Sequence, residues 1–342
     1  MTDFLKQFSD DLLPTLEQEM QTVLQVNRQV KPDAFYGMMH YHMGWVDADL
    51  NPVMVKSGKR IRPLSCLLTC AAIGGNWQQA IPAAAAIELL HNFSLIHDDI
   101  EDAGLTRRGR DTVWKIWGIE QAINIGDAMF ALAHLAMNRL IEHGVTADIV
   151  IQALRRFDET SIHLTQGQHA DMDFETRNHV TVEEYVAMIT GKTAVMLALC
   201  TELGALIAGA APQIVQHYHQ FGRSLGLAFQ IIDDILGIWG DENLTGKSAA
   251  TDILTKKKTF PVLYGLSQSR ELQTLYANNE ANDSFVINVV NLLDQYGAYD
   301  YARQTALTHS QNALSHLESA QPQGPHGEAL FQLANTLLKR DY

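Results

Sequence analysis

The amino-acid sequence predicts an all-α protein, and three observations support that fold class. Apolar residues recur with helical periodicity along most of the 342 residues. The chain holds only nine prolines and 23 glycines, which favours long helices over a β architecture dense in turns. No segment alternates apolar and polar residues for long enough to predict a strand. Hydrophobic residues make up 46% of the chain and charged residues 19%, which suits a large buried core.

Helix-ending residues separate the predicted helices. They are Asn51-Pro52, the run 74–76, Gly144, Ala211-Pro212 and the stretch 321–325. In chain order, the periodicity predicts helices over residues 3–27, 59–73, 80–103, 119–143, 147–172, 182–209, 212–238, 258–278, 283–295, 298–319 and 326–340. The polar segment 240–258 joins two apolar helices, and a loop of that length is usually functional or mobile. Because no linker separates two cores, we predict a single domain over residues 1–342.

Charge and cysteine content limit the partners and the compartment. The chain has 25 Lys and Arg against 39 Asp and Glu, a net charge of −14, which argues against general nucleic-acid binding. Three cysteines cannot form a disulfide framework and fit a reducing cytoplasm. The first residues show no secretory signal, and the most apolar stretch carries Glu88, His91 and Asn92, which predicts a buried helix rather than a membrane span. We therefore expect a cytoplasmic protein without a transmembrane segment.

The first chemical motif is LIHDDIED, at the end of an apolar helix. Asp98 and Asp102 lie one turn apart on one helical face, and Asp99 lies between them. Like charges at this spacing repel each other, but a divalent cation such as Mg²⁺ would offset the repulsion. A solvated acidic helix end is the alternative.

The second motif, FQIIDDILGIWG, repeats the pattern on another apolar helix. Asp233 and Asp234 are surrounded by Ile, Leu and Phe, where two carboxylates are costly unless they are compensated. Two such pairs suggest a shared metal cluster that faces a deep apolar cavity. Basic side chains stand near both motifs and are suited to binding phosphate oxygens, although any one of them could be a solvated surface charge.

At this point the sequence resembles the trans-isoprenyl diphosphate synthase, or polyprenyl synthetase, family. The resemblance covers residues 58–265 and rests on GKRIRP, ELLHNFSLIHDDIED, the RRG of residues 107–109, GQHAD, GKT, FQIIDD, and the GK and KKKT of the polar loop. It implies an antiparallel helical bundle around a deep central apolar cavity, usually as a homodimer. It also implies an Mg²⁺-dependent prenyltransferase, with three ions alongside bound diphosphate, that condenses isopentenyl diphosphate with an allylic diphosphate.

The resemblance implies a role for each matching residue. The catalytic set is Asp98, Asp99, Asp102, Lys192, Asp233 and Asp234, with Asp98, Asp102 and Asp233 as the metal ligands. The isopentenyl diphosphate set is Lys59, Arg62, His91 and Arg108, and the allylic diphosphate set is Arg107, Lys192, Thr193, Gln230, Lys247 and Lys257. Phe93 and Ser94, before the first motif, resemble the chain-length position of synthases that make the twenty-carbon geranylgeranyl product, with farnesyl diphosphate the next candidate.

One position departs from the family pattern. The second motif of the family is DDxxD, but its last position here is Gly237. The departure leaves a terpene cyclase on the same fold, or a non-catalytic regulatory subunit, as alternatives. The retained isopentenyl diphosphate set favours chain elongation, because a pure cyclase would not need it.

Overall fold

The computed structural model describes residues 3–27, 29–53, 55, 58–240, 251–277 and 282–338. These residues form α-helices and a single two-stranded antiparallel hairpin, so the predicted all-α class is confirmed. The N-terminal elements are α1 (Phe4–Val23), α2 (Ala34–Met43), α3 (Ile61–Ala72), α4 (Trp77–Glu101), β1 (Thr106–Arg107), β2 (Arg110–Asp111), α5 (Val113–Trp117), α6 (Ile119–Asn138) and α7 (Ala147–Thr176). The later elements are α8 (Val182–Ile189), a π-helical turn (Thr190–Ala194), α9 (Val195–Ile207), α10 (Pro212–Trp239), α11 (Thr251–Leu254), α12 (Phe260–Gln268), α13 (Arg270–Ala277), α14 (Asp283–Gln295), α15 (Ala298–Ser319) and α16 (Gly324–Leu338).

The structure departs from the predicted elements in five places. Helix α2, the hairpin with α5, the π-helical turn and the short α11 were not predicted. The helix predicted over residues 258–278 is two helices, because the backbone at Ser269 is extended, with φ −131° and ψ 118°. Much of the polar loop predicted over residues 240–258 lies outside the described residues.

The chain divides into two compact units, and the prediction of a single domain stays a prediction. The first unit comprises residues 1–157, 200–212 and 322–330. Its central helix is α4, which contacts α1, α3 and α6. Helix α4 is apolar on nearly every side until its last turns, as expected for a helix surrounded by others. Its acidic motif lies at its C-terminal end.

The second unit comprises residues 158–199, 213–321 and 331–342. One of its apolar clusters joins α7, α8, α10, α12 and α15, and another joins α10, α11, α12, α13 and α14. Helix α8 begins with a capping box, in which Thr181 and Glu184 satisfy each other's backbone N–H groups. The π-helical turn follows directly after α8.

The sequence also predicts that the cysteines form no disulfide framework and that the apolar helices are buried in the protein. Cys66, Cys70 and Cys200 are buried and form no disulfide. Among the described residues, the run Val182–Ile207 is long and apolar enough to cross a membrane, and 61% of its apolar window is buried in the protein. A core helix meets the same criteria of length and composition, so the run is weak evidence for a span.

Candidate active site

The first acidic motif occupies the C-terminal end of α4. Asp98 is half-buried, and Asp102 is exposed at the position that caps the helix. Its backbone N–H donates to the Asp98 carbonyl at 2.9 Å. Carboxylates at a helix C-terminus face the negative end of the helix dipole, and this pair also repels itself across one turn. An all-oxygen donor set in so negative a place fits a hard divalent cation.

Asp99, between them in the sequence, is hydrogen-bonded to the hairpin. Its side chain is buried, and its Oδ1 accepts a hydrogen bond from Arg107 Nε at 2.8 Å. Burial raises the pKa of Asp99, while the charge and the hydrogen bond of Arg107 act in the opposite direction. Asp99 therefore positions Arg107 and thereby links the end of α4 to the hairpin.

The RRG motif is the turn of that hairpin. Thr106 pairs with Asp111 and Arg107 with Arg110, so the turn consists of Arg108 and Gly109. Both turn residues have positive φ, 52° and 74°, as a two-residue type I′ turn requires. Arginine is uncommon in this conformation, and such strain clusters at functional sites.

Arg110 anchors the hairpin to the end of α2. Its guanidinium donates to the carbonyls of Tyr41 at 2.9 Å and Val46 at 2.7 Å, and it stacks over the Tyr41 ring. The hairpin therefore has a fixed base, and its turn presents Arg108 with an exposed side chain.

The predicted isopentenyl diphosphate residues come together within the first unit. Arg62 Nη1 lies 3.3 Å from His91 Nε2. A Cβ at Gly58 would lie 3.6 Å from Arg108 Nη2, which places the backbone next to Lys59 against that guanidinium. Burial, and then the charges of Arg62 and Arg108, hold the pKa of His91 well below its usual range, so the imidazole is neutral. The result is a cationic cluster with a neutral hydrogen-bonding group inside it.

Two residues beside this cluster were not predicted from the sequence. The Nε2 atom of His42 is buried and has no hydrogen-bond partner among the described residues. Burial, followed by the charges of Arg108 and Arg107, lowers the pKa of His42 to about 3. A single histidine on α2, far from every motif, gave no sequence signal.

Arg60 is the second missed residue, and its role differs from that of its neighbours in GKRIRP. Its side chain is buried, and Nη1 lies 2.6 Å from Glu88 Oε1 while Nη2 lies 3.4 Å from Glu17 Oε2. Arg60 thus ties the start of α3 to α4 and α1. By contrast, Lys59 is exposed and Arg62 reaches His91.

Phe93 lies in an aromatic row between α4 and α6. Its ring centroid is 4.9 Å from that of His97 and 5.1 Å from that of Phe130. Phe130 in turn contacts His134 at 4.6 Å. Ser94 is half-buried, and its hydroxyl donates to the His91 carbonyl at 2.9 Å. Phe93 therefore fills space beside α4, about one and a half turns before Asp98.

In the second unit, the two carboxylates of FQIIDD separate into two roles. Asp233 is exposed, whereas Asp234 is only 4% exposed. Asp234 accepts hydrogen bonds from the Tyr185 hydroxyl at 2.6 Å, the Phe260 N–H at 3.1 Å and Gln230 Nε2 at 3.1 Å. Burial raises the pKa of Asp234 to about 6 against the effect of these bonds. Asp234 joins α8, α10 and α12, and Asp233 is left as the accessible carboxylate.

The GKT motif forms the π-helical turn between α8 and α9, a feature often found at functional sites. Lys192 Nζ donates to Asp171 Oδ2 of the GQHAD motif at 2.6 Å. Thr193 Oγ1 donates to Gln230 Oε1 at 3.0 Å, and Gln230 in turn donates to Asp234, so a chain of two hydrogen bonds joins Thr193 to Asp234. Three of the predicted motifs are therefore connected by hydrogen bonds within the second unit.

Glycine at two positions allows this arrangement. A Cβ at Gly167 would lie 2.6 Å from the carbonyl carbon of Gly191, and a Cβ at Gly191 would lie 2.8 Å from the His163 carbonyl oxygen. Helix α7 and the π-helical turn therefore approach each other backbone to backbone, which residues with a Cβ would prevent. The glycines of GQHAD and GKT thus set the distance between Lys192 and α7.

The lysines of KKKT have different environments. Lys256 Nζ donates to the Tyr276 carbonyl at 3.1 Å, and Lys258 Nζ donates to the Phe174 carbonyl at 2.6 Å, near the end of α7. Lys257 between them is exposed. Lys247, the other predicted lysine of this segment, lies outside the described residues.

A sequence model of the family described as polyprenyl synthetase matches residues 44–293, well over half of the chain. The chain belongs to the polyprenyl synthetase family. The family resemblance and the predicted trans-prenyltransferase class are therefore confirmed. This polyprenyl synthetase is 41% identical over 237 residues to a geranylgeranyl diphosphate synthase of Mycobacterium tuberculosis (strain ATCC 25618 / H37Rv), a match that covers 69% of this chain and 67% of the relative.

Solved structures agree with the fold of this polyprenyl synthetase. Geranylgeranyl pyrophosphate synthetase from Pyrococcus horikoshii Ot3 is 30% identical with a TM-score of 0.87, over 99% of this chain and 98% of that one. Geranylgeranyl pyrophosphate synthase from Corynebacterium glutamicum, complexed with isoprenyl diphosphate and magnesium, is 25% identical with a TM-score of 0.78, over 99% of each chain. At least one relative in the family has therefore been solved with magnesium.

Proposed function

We propose that this polyprenyl synthetase condenses isopentenyl diphosphate with an allylic diphosphate to give geranylgeranyl diphosphate, with farnesyl diphosphate as the next candidate product. The cationic cluster formed by Arg62, His91, Arg108 and the backbone beside Lys59 carries the proposal. A second diphosphate substrate needs such a cluster, whereas a cyclase that consumes one allylic diphosphate does not.

The acidic residues of both motifs are proposed to hold magnesium. Asp98 and Asp102 supply carboxylate oxygens at the negative end of α4, and Asp233 supplies the accessible carboxylate of the second motif. When bound, the ions, which we take to be three, neutralise the charge that develops on a departing diphosphate. Asp99 and Asp234 then support the site through Arg107 and Gln230, to which they are hydrogen-bonded.

The basic side chains act on the same leaving group. Arg107, Lys192 and Lys257, with Lys247, are proposed to bind the allylic diphosphate and to stabilise it as the C1–O bond breaks. The double bond of isopentenyl diphosphate attacks the allylic cation, a new carbon–carbon bond forms, and a proton leaves the adjacent carbon. The released diphosphate is proposed to accept that proton. Apolar walls exclude the water that would otherwise trap the cation as an alcohol.

Phe93 is proposed to limit the length of the product. Its ring packs against Phe130 on the neighbouring helix. A growing prenyl chain that reaches this row would have to displace an aromatic side chain, which costs packing energy. Ser94, next to it, is too small to act in the same way.

We also propose that the protein is a cytoplasmic homodimer without a membrane span. Helix α6 carries large apolar side chains that are exposed, namely Ile119 at 46%, Ile123 at 45% and Leu135 at 57%, and Ile151 on α7 is 65% exposed. Apolar side chains repeated along a helix are commonly covered by a partner, and a second copy is the commonest one. Sedimentation of the purified protein tests the dimer, and Ile123→Asp is expected to shift it toward the monomer.

The proposed reaction is tested by incubating the purified protein with isopentenyl diphosphate, Mg²⁺ and dimethylallyl, geranyl or farnesyl diphosphate in turn. Chromatography of both hydrolysed alcohols and hydrocarbons identifies the product. We expect geranylgeraniol, and we expect Asp98→Ala to reduce turnover by orders of magnitude. A hydrocarbon formed from one allylic diphosphate alone would point to a cyclase. No turnover with any primer would point to a regulatory subunit.

A further inference from the structure

His42 lies in the last turn of α2, beside the cationic cluster, and the proposed function gives it no role. The residue before it fixes the helix to the hairpin. The Tyr41 hydroxyl donates to the Asp111 carbonyl at 2.9 Å, and the Tyr41 carbonyl accepts a hydrogen bond from Arg110 Nη1 at 2.9 Å. Gly44, with a φ of 86°, ends the helix two residues later. The backbone at His42 is therefore held against the hairpin.

A small cavity between α2 and the hairpin is lined in part by His42. Arg107, Arg108 and Asp99 line the same cavity. Its volume of about 30 Å³ is enough for about two water molecules and is too small for a diphosphate group. Any role of His42 in substrate binding must therefore pass through the side chains that share this cavity with it.

Asn92 on α4 determines which nitrogen of His42 carries the proton. Its amide nitrogen donates to the Glu88 carbonyl at 2.7 Å and to Glu88 Oε1 at 3.1 Å, so only its acceptor, Oδ1, remains. Within the described part of the chain, Asn92 Oδ1 and His42 Nε2 are both buried and have no partner with full hydrogen-bond geometry. Burial and the charges of Arg108 and Arg107 lower the pKa of His42, whereas Asn92 raises it, as an acceptor that faces an imidazole N–H does. The buried Nε2 is therefore assigned as the protonated nitrogen.

This tautomer leaves Nδ1 as the acceptor of the neutral His42 ring, because a neutral imidazole has one donor and one acceptor nitrogen. The two guanidinium groups that share the cavity are donors only. Arg107 already donates to Asp99, whereas Arg108 has no hydrogen bond or ion pair with any residue that the structure describes. Burial lowers the pKa of Arg108, which shows that its guanidinium points inward although the residue as a whole is exposed. Arg108 is thus a cation without an acceptor, beside an acceptor without a donor.

A neutral acceptor suits the charge balance of this site. A further carboxylate beside Arg108 would form an ion pair and partly neutralise the guanidinium before a diphosphate arrives. A neutral imidazole fixes the direction of the guanidinium and leaves its charge for the substrate. The pKa of His42, which burial lowers to about 3, keeps the ring neutral throughout the physiological pH range.

We propose that His42 is a positioning residue for Arg108, whose guanidinium donates to His42 Nδ1 and is thereby held beside the backbone at Gly58. A Cβ at Gly58 would lie 3.6 Å from Arg108 Nη2, which defines that position. The inference rests on the proposed function, because Arg108 belongs to the set proposed to bind isopentenyl diphosphate. His42 itself does not contact the substrate. It orients Arg108 before binding, which lowers the entropic cost of binding the second diphosphate.

Three substitutions at His42 separate the roles of its two nitrogens. Asparagine places an amide oxygen near the position of Nδ1, glutamine places its polar group near Nε2, and phenylalanine keeps a ring without either nitrogen. We expect His42→Asn to keep the KM for isopentenyl diphosphate within about threefold of the wild type. His42→Gln and His42→Phe should raise it by about tenfold or more, the loss typical of a hydrogen bond to a charged group. The KM for the allylic diphosphate, measured in the same assay, should stay unchanged in all three variants.

Two controls distinguish positioning from a purely structural role. His40→Phe, on the same helix, removes a ring nitrogen that lies 2.8 Å from the Leu24 carbonyl oxygen, so it should lower Tm and leave both KM values unchanged. In an Arg108→Ala background, His42→Phe should cause no further rise in the KM for isopentenyl diphosphate, because the two residues act as one unit. Thermal denaturation followed by circular dichroism verifies that each variant is folded.

Two results would overturn the inference. An unchanged KM for isopentenyl diphosphate in His42→Phe would show that His42 does not position Arg108, and additive effects of His42→Phe and Arg108→Ala would show that His42 acts on another group. If His42→Phe did not fold, equal KM values in His42→Asn and His42→Gln would overturn it instead. In each case elongation by the wild type would leave the proposed function standing. A wild-type protein that consumes no isopentenyl diphosphate with any allylic primer would refute the proposed function.

Discussion

Replacing Gly167 by alanine tests how tightly α7 holds the turn that carries Lys192. The added Cβ would lie 2.6 Å from the carbonyl carbon of Gly191 and closer to the Lys192 backbone nitrogen. Both contacts are with backbone, so no side-chain rotation relieves them. Gly126 on α6 offers a matched control, because a Cβ there would lie 2.6 Å from His97 Cδ2, an atom of a side chain.

The expected magnitudes differ for that reason. Alanine is favoured over glycine inside a helix by about 1 kcal/mol, and this gain applies to both variants. At Gly126 the His97 ring, with 24% of its side chain exposed, can rotate toward solvent at a cost of about 1 kcal/mol, so the net change is near zero. At Gly167 two backbone segments must separate, so the cost of overpacking is taken at the upper end of its usual range, about 3 kcal/mol. We expect Gly167→Ala to destabilise the protein by about 2 kcal/mol, a fall of several degrees in Tm.

Thermal denaturation followed by circular dichroism compares the two variants with the wild type. A steady-state assay adds a second measurement, because a displaced turn should raise the KM for the allylic diphosphate in Gly167→Ala. If Gly167→Ala were as stable as Gly126→Ala and had an unchanged KM, the close approach of α7 to the π-helical turn would not constrain Lys192.

Three further predictions follow from the site. Phe93→Ala should lengthen the prenyl product. An unchanged chromatographic profile of the products would show that Phe93 does not limit product length. The raised pKa of Asp234, about 6 against an ordinary 3.8, means that its contribution to stability is present below pH 3.8 and is lost as the pH rises through about 6. The wild type should therefore lose about 2 kcal/mol of unfolding free energy relative to Asp234→Asn between pH 4 and pH 7. An equal pH dependence of the two unfolding free energies, measured in urea, would contradict this. Lys257→Ala should raise the KM for the allylic diphosphate and leave Tm unchanged. Lys258→Ala removes a donor from the last carbonyls of α7 and should lower the unfolding free energy by about 1 kcal/mol. The opposite result for the two variants would exchange the roles assigned to these lysines.

The helices could be predicted because their signals are local. Apolar periodicity and helix-ending residues placed most of the long helices within a few residues of their observed ends. Helix α2 was missed because its sequence, AFYGMMHYHM, contains a glycine and two histidines; the glycine, Gly37, leaves room for the Leu50 side chain. The hairpin was missed because strands of two residues are too short to alternate.

The distinct roles of neighbouring site residues could not be predicted, because they depend on distant partners. Asp234 is buried against Tyr185, 49 positions earlier, and Asp233 beside it is exposed. The sequence shows only two adjacent aspartates. Likewise, nothing near Gly237 in the sequence indicates that Asp252 will lie against it.

The buried contacts of Arg60 change how mutations in GKRIRP should be interpreted. Loss of activity in an alanine scan of this motif would ordinarily be assigned to loss of phosphate binding. Removing one partner of a buried ion pair costs about 3–5 kcal/mol, a large share of the 5–15 kcal/mol that keeps a typical protein folded. An inactive Arg60→Ala protein would therefore report on unfolding, because Glu88 would remain buried without its guanidinium. Only Lys59 and Arg62 can be scanned as ligands of the substrate, and variants at Arg60 should be checked for folding before any kinetic constant is assigned a meaning.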